Sequence, residues 1–131
     1  MTNDKDGTNN QIERALSRGG IVDITTVGRK SGDARRIEIV FHNIGGRIYI
    51  SGMPNPQRRS WLANLEANPR FELHLKGPVQ ADLPATARII TEEPERREVL
   101  IHVARTWRRN DVETMVRHSP LIEVKIEDLA A

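Results

Sequence analysis

The spacing of apolar residues along the chain predicts six β-strands. Apolar and polar residues alternate over 36–42 and again over 70–76, which is the two-residue period of half-buried strands. Runs rich in β-branched residues predict four further strands at 21–27, 47–51, 79–91 and 121–126. The long strand at 79–91 is expected to be bulged or bent near Pro84, because proline cannot donate a ladder hydrogen bond.

Apolar residues three or four positions apart predict helices over 10–18, 57–67, 92–107 and 111–117. Residues 1–8 are polar and are predicted to be a disordered tail, with residues 9–131 forming a single domain. The resulting order is α-β-β-β-α-β-β-α-α-β with short connections. Such connections favour antiparallel pairing, and six strands can close into a barrel that exposes no edge. The predicted fold class is therefore α+β, a six-stranded antiparallel β-barrel with peripheral helices.

A basic turn joins the first two predicted strands. Gly28 and Gly32 supply the backbone freedom that a tight turn needs. Four cations lie in or just after this turn: Arg29, Lys30, Arg35 and Arg36. A glycine- and serine-containing loop with several cations suits a phosphate group, while a plain hairpin with solvated basic residues explains the pattern equally well.

The charge of the chain is unevenly distributed. The net charge is +2, yet residues 28–76 hold nine Lys and Arg against four Asp and Glu. This excess fits a polyanionic small ligand or a nucleic-acid surface. Only two Phe, one Tyr and two Trp are available to stack on bases, so the small ligand is favoured and no nucleic-acid partner is expected.

Several classes of chemistry are disfavoured by composition. The chain has no cysteine, which excludes disulfides and thiolate chemistry. Its four histidines match no metal-binding spacing, so no metal site is expected. No apolar run is long enough to span a bilayer, which predicts a cytoplasmic protein without stable membrane insertion.

Two motifs and the glycine pair between them carry a resemblance to a known family. Residues 25–32 read Thr-Thr-Val-Gly-Arg-Lys-Ser-Gly, and residues 61–69 read Trp-Leu-Ala-Asn-Leu-Glu-Ala-Asn-Pro, with the Gly45-Gly46 hairpin between them. In this order they resemble the deazaflavin-dependent nitroreductase family over about residues 20–90. The resemblance implies a split β-barrel of the flavin-binding type. It also implies an oxidoreductase that transfers hydride from reduced deazaflavin coenzyme F-420 to a small electron-poor acceptor, such as a quinone, nitro compound or enone.

The resemblance assigns cofactor-binding roles to particular residues. The phosphate and oligoglutamate tail of the coenzyme are expected at Arg29, Lys30, Ser31, Gly32, Arg35 and Arg36. The deazaflavin ring is expected along Ser51, Gly52, Met53, Pro54 and Asn55. The following helix is expected to direct two arginines at the phosphate and to be held from beneath by two further residues: Arg58, Arg59, Trp61 and Asn64.

The chain departs from the family pattern at two places. Many members carry Ser-Lys-Gly-Gly where this chain has residues 51–54, so the usual lysine is missing and Arg58 or Arg59 is left to replace its charge. Some members offer tyrosines to the acceptor pocket, whereas this chain has none after Tyr49. The identity of the acceptor is therefore open.

Hydride transfer needs no side-chain nucleophile, because the cofactor supplies the reacting group. His102 and His118 lie on helices that could cover the cofactor, and they are the candidate catalytic proton donors. The pairs Arg96-Arg97 and Arg108-Arg109 are interpreted as solvated helix faces. Two alternatives stay open, an FMN-dependent reductase of the same fold and a non-catalytic cofactor-binding module. Either a monomer or a homodimer is expected.

Overall fold

Six antiparallel strands close into a barrel in the computed structural model, which describes residues 4–127. The strands are β1 (Gly20–Val27), β2 (Ala34–Ile44), β3 (Arg47–Ser51), β4 (Arg70–Leu75), β5 (Ala81–Ile89) and β6 (Leu121–Ile126). The helices are α1 (Asp4–Arg18), α2 (Ser60–Ala67), α3 (Glu93–Thr106) and α4 (Val112–His118). The predicted fold class and the predicted order of elements are confirmed.

The alternation of residues in β1 determines which side chains fill the barrel. Val22, Ile24 and Thr26 are buried, whereas Asp23 and Thr25 between them are only partly covered. The strand pairs with β2 along its whole length and with β4 on its other side, and the barrel order runs β1-β2-β3-β6-β5-β4. Every strand therefore has two neighbours, and the barrel leaves no open edge.

Three sequence-based boundaries differ from the structure. Helix α1 begins at Asp4 rather than at residue 10, and residues 1–3 of the predicted tail lie outside the described residues. Helix α2 begins at Ser60 rather than at residue 57, after a segment that contains two prolines. The register between β4 and β5 continues through Pro84, so the predicted bulge is wrong. Pro84 lies just before the residues of β5 that pair with β6. Its missing N–H therefore does not interrupt the hydrogen-bond ladder between β5 and β6.

Two hydrophobic clusters divide the interior. The larger one fills the barrel and includes Ile12 and Leu16 of α1 together with Trp61, Leu62 and Leu65 of α2. The second lies outside the barrel wall, where α3 and α4 cover Tyr49 of β3 and Leu121 of β6. This second cluster fixes α3 and α4 against the barrel, and it thereby positions the loop between α4 and β6.

His42 is a buried polar residue beside the second cluster. Its Nε2 atom has no hydrogen-bond partner among the described residues, and its ring packs edge-on against Trp107 with a centroid separation of 5.2 Å. Because burial disfavours the imidazolium, the pKa of His42 is lowered from its ordinary value.

This lowered pKa predicts a loss of stability in mild acid. Below about pH 6.5 the unfolded chain binds a proton at His42 that the folded chain does not, so the stability is fully present above that pH and falls as the pH approaches the folded-state pKa. We expect His42→Phe, which keeps an aromatic ring against Trp107, to gain stability relative to the wild type as the pH falls from 8 to 5. Urea unfolding at both pH values measures the difference. The exposed His102→Gln is the control, and an equal pH dependence in His42→Phe and the wild type would contradict this account.

Candidate functional site

The side chain of Asn64 joins α2 to the basic turn between β1 and β2. Its Oδ1 atom accepts hydrogen bonds from the backbone N–H of Arg29 at 3.1 Å and from the Arg29 guanidinium at 3.0 Å. Its Nδ2 atom donates to the Thr26 hydroxyl at 3.2 Å. Asn64 and Thr26 are both buried, so these groups would be left unpaired without one another. The basic turn is therefore held against the first turns of α2.

The basic turn and the start of α2 enclose a depression of about 340 Å³, which we call the turn pocket. Its lining residues are Gly28, Arg29, Lys30, Ser31, Arg35, Ser60 and Asn64. The turn is closed by its own hydrogen bonds, from the Gly28 N–H to the Asp33 carbonyl at 2.8 Å and from the Gly32 N–H to the Gly28 carbonyl at 2.8 Å. A Cβ atom on Gly28 would lie 2.8 Å from the Ser31 hydroxyl, so this close turn requires glycine there.

Arg35 and Arg36, which were grouped in one predicted phosphate site, lie in different places. Arg35 lines the turn pocket, whereas the Arg36 guanidinium donates to the Asp23 carboxylate at 2.9 Å on the outer face of the barrel. Hydrogen bonds from Lys76 and then from Arg36 lower the pKa of Asp23. The structure therefore does not bring Arg36 to the turn pocket, because successive side chains of a strand point to opposite faces.

The loop that follows β3 is fixed by contacts to the segment before β6. The Ser51 hydroxyl donates to the Pro120 carbonyl at 2.8 Å, and the Asn55 N–H donates to the His118 carbonyl at 3.1 Å. The Arg59 guanidinium donates to the Met53 carbonyl at 2.6 Å. Ser51 thus holds the loop in place, and Arg59, the N-cap residue of α2, joins the loop to the start of that helix. Two other residues of the predicted ring-binding loop are more accessible than Ser51. Met53 is 51% exposed, and Pro54 is partly buried.

A Cβ atom on Gly52 would lie 3.1 Å from the Pro120 ring and 3.3 Å from Nε of Arg59. This separation is tighter than ordinary van der Waals contact, so the loop approaches both neighbours as closely as glycine allows. The glycine that departs from the family pattern is therefore accommodated by the packing around it.

A second depression, of about 270 Å³, lies on the other side of the start of α2, and we call it the basic cleft. It is lined by residues 55–59, Leu62, residues 89–91, Arg96 and residues 117–120. Arg58 forms an ion pair with Glu66 in the last turn of α2, and the Arg59 guanidinium donates to the Met53 carbonyl. Both arginines predicted to reach a phosphate, Arg58 and Arg59, therefore line the basic cleft. The next residue, Ser60, lines the turn pocket.

Arg96 is a member of this cleft that sequence reasoning placed on a solvated face. Its guanidinium is half-buried and donates to four backbone carbonyls: those of Ile90 at 2.9 Å, Val116 at 2.9 Å, Met115 at 3.4 Å and Ser119 at 2.6 Å. Burial lowers its pKa, although an arginine remains charged. The sequence contained an indication that Arg96 lies on the packed face of α3. Arg96, Leu100 and Val103 are spaced as i, i+4 and i+7, which places them on one helix face.

The two candidate proton donors lie in different environments. His118 is exposed at the end of α4 and lines the basic cleft. His102 is exposed on α3, on the face away from the buried Val99, Leu100 and Val103, and it lines neither the turn pocket nor the basic cleft. The structure therefore does not bring the predicted pair together. Trp61 is buried in the barrel cluster, where it supports α2 from beneath.

Residues 9–127 contain no group of three or more His, Cys, Asp and Glu side chains arranged to hold a metal ion. None of their helices combines the length and the apolar character needed to cross a membrane.

Comparison with known structures supports the same fold. A structure described as an F420-H2 dependent reductase (FDR-A) is 25% identical over 81% of this chain and 94% of its own, with a TM-score of 0.59. One described as a domain-swapped dimer is 25% identical over 92% of this chain and 98% of its own, with a TM-score of 0.62. A putative pyridoxamine 5'-phosphate oxidase from Listeria innocua is 13% identical over 92% of this chain and 94% of its own, with a TM-score of 0.66, which shows the shared split-barrel fold alone.

Comparison with protein families identifies the chain directly. The model of the family described as F420H(2)-dependent quinone reductase matches residues 2–127, which is nearly the whole sequence. This match extends the resemblance to deazaflavin-dependent reductases beyond the two motifs that first indicated it, and it identifies coenzyme F-420 as the cofactor of the family. The chain belongs to the F420H(2)-dependent quinone reductase family.

Proposed function

We propose that the turn pocket holds the tail of reduced coenzyme F-420, that its ring lies beside the basic cleft, and that the chain uses it to reduce a small electron-poor acceptor bound in that cleft, of which a quinone is the first candidate. The observation that carries this proposal is the pair of cationic depressions on either side of the start of α2. Arg29, Lys30 and Arg35 line one side, while Arg58 and Arg59 line the other. A ligand that has an anionic tail and a planar ring needs two such regions close to one another.

The residues that line the turn pocket fit an anionic tail. Lys30 and Arg35 are exposed, and neither has an ion-pair partner among residues 9–127. Arg29 is held in place by Asn64, so its guanidinium is already oriented at the rim. Charge-assisted hydrogen bonds from arginine and lysine are the usual way in which proteins hold phosphate and carboxylate groups. We therefore assign the phosphate and oligoglutamate tail to Arg29, Lys30, Ser31, Gly32 and Arg35.

The ring is assigned to the loop at residues 51–55 beside the basic cleft. When bound, the reduced coenzyme supplies the hydride. The protein contributes a loop held by Pro120 and His118, so that no side chain has to reorganise when the acceptor arrives. Leu62, Ile90 and Pro120 give the cleft apolar walls that exclude water. Arg59 supplies positive charge where an acceptor oxygen becomes negative, and His118 is the candidate proton donor.

The proposed oligomeric state is a homodimer. The domain-swapped dimer formed by one solved relative supports a homodimer over a monomer. Light scattering after size-exclusion chromatography distinguishes a mass of 14.9 kDa from twice that value.

The proposed activity predicts a specific dependence on the electron donor. With menadione as acceptor, the purified protein should oxidise reduced coenzyme F-420 in a protein-dependent reaction, which is followed by the absorbance of the oxidised deazaflavin. Reduced FMN at the same concentration should support little turnover, because it has no oligoglutamate tail for the turn pocket to bind. Equal turnover with both donors would favour the FMN-dependent alternative. Tight coenzyme binding without turnover of any acceptor would favour the non-catalytic module.

The tail assignment predicts a loss of affinity when the two free cations of the turn pocket are neutralised. Lys30→Gln combined with Arg35→Gln should weaken coenzyme binding at least about tenfold, since each charge-assisted contact contributes roughly 1.5–3 kcal/mol and tenfold corresponds to about 1.4 kcal/mol. The variant should also lose part of the salt dependence of binding, because salt screens exposed charges. Fluorescence titration at two salt concentrations measures both effects.

The control for this variant is Arg14→Gln combined with Arg105→Gln. It removes the same number of charges from exposed positions of α1 and α3 that do not line either depression. An equal loss of affinity in both double variants would mean that only net charge matters, and the tail assignment would then be wrong.

A further inference from the structure

The basic cleft carries more positive charge than its own partners neutralise. Four arginines and one histidine line it: Arg58, Arg59, Arg96, Arg117 and His118. No carboxylate lines it within residues 9–127, and the one acid in an ion pair with any of these arginines there is Glu66, on Arg58. Like charges this close to one another raise the free energy of the folded chain unless an anion joins them.

Arg96 keeps a positive charge at the cleft, because hydrogen bonds fix its guanidinium in place. Its donors are committed to the carbonyls of Ile90, Val116 and Ser119, and to that of Met115. Carbonyl dipoles satisfy the hydrogen bonds of a guanidinium, but they do not neutralise its charge. A half-buried cation without an acidic partner is costly unless a counter-charge is supplied. Arg96 is therefore a positioning residue, which fixes the loop of Ser119 and Pro120 and adds positive potential to the cleft.

Arg117 is the cation best placed to contact a ligand directly. It is exposed in the last turn of α4, it lines the cleft beside His118, and it forms no direct ion pair among residues 9–127. Its nearest acidic influence is Glu113 of the same helix, whose pKa is lowered first by Arg97 and then by Arg117. Arg58 and Arg59, by contrast, are engaged by Glu66 and by the Met53 carbonyl. The free charge of the cleft is thus concentrated on the wall that α4 contributes, opposite the start of α2.

Part of the remaining surface of the cleft is apolar. Leu62, Ile89, Ile90 and the rings of Pro56 and Pro120 form this part, and the uncharged polar residues of the lining are Asn55, Gln57, Thr91 and Ser119. The cleft volume of about 270 Å³ lies just below the roughly 300–1,000 Å³ range of small-molecule sites. Such a cleft suits a compact ring that carries a charged group, and it is a poor match for a long apolar chain.

We propose that the acceptor of this protein is a compact planar quinone that carries an acidic group, such as a carboxylate or sulfonate, which Arg117 binds. This inference rests on the proposed function and specifies its substrate class. The quinone gains a hydride from the reduced coenzyme and a proton from His118 or solvent, so that it becomes the hydroquinone and the coenzyme becomes oxidised. A neutral quinone of the same size lacks the charge that Arg117 recognises, and it is reduced less efficiently.

The first test is binding of a redox-inert probe to the protein without coenzyme. Naphthalene-2-sulfonate is compared with neutral 2-naphthol by isothermal titration calorimetry, in the wild type, in Arg117→Gln and in the control Arg105→Gln. We expect the sulfonate to bind the wild type and the control equally, and Arg117→Gln to weaken it about tenfold while changing naphthol binding less than twofold. Absence of sulfonate binding to the wild type overturns the inference, as does an equal loss for both probes.

The second test uses turnover and separates this inference from the proposed function. The ratio of kcat/KM for 1,4-naphthoquinone-2-sulfonate to that for menadione should fall about tenfold in Arg117→Gln, with the affinity for coenzyme F-420 unchanged. A weakened coenzyme affinity would assign Arg117 to the coenzyme, which overturns the inference and leaves the proposed function standing. If the wild type binds coenzyme but reduces neither quinone, the proposed function fails, and the probe binding alone decides whether the cleft selects anions.

Discussion

The amide of Asn64 is the interaction on which the arrangement of the site depends. It satisfies the Arg29 N–H, the Arg29 guanidinium and the Thr26 hydroxyl at once, at distances of 3.0 to 3.2 Å. Because Asn64 and Thr26 are buried, replacing the amide by an apolar group would leave polar atoms unpaired, at a cost of about 1–3 kcal/mol each. The amide therefore fixes a flexible basic turn to a helix that is itself anchored by Trp61 in the barrel.

Both cationic depressions follow from this attachment. The turn pocket forms where the basic turn meets Ser60, and the basic cleft begins at Arg59, the residue just before it. The far wall of the cleft comes from the α4–β6 segment, which Arg96 and the bond between Ser51 and Pro120 hold in place. The barrel and its two hydrophobic clusters thus carry a site built almost entirely from loops, which is typical of binding sites on rigid scaffolds.

Much of this organisation could be predicted from the sequence, because it rests on local patterns. Alternation and turn residues predicted the six strands, and the two motifs indicated that the Arg29 turn and Asn64 belong to one site. The same two-residue period could have separated Arg35 from Arg36, and helical spacing could have placed Arg96 on the packed face of α3. The same spacing places His102 away from the packed face, but its distance from the basic cleft could not have been predicted in this way. That distance depends on where α3 packs against the barrel, which long-range packing decides and local sequence does not encode.

The measurement that tests the central claim most directly is the coenzyme affinity of Asn64→Ala, which keeps every cation of both depressions. With the protein confirmed as folded by circular dichroism, we expect fluorescence titration to show binding of coenzyme F-420 weakened by about tenfold or more, because Arg29 and its turn are no longer held against α2. Asn68→Ala, which removes one exposed hydrogen bond to the Arg70 N–H, should bind as the wild type does. Unchanged affinity in a folded Asn64→Ala protein would contradict the account, since the cations would then bind the coenzyme without the amide that positions them.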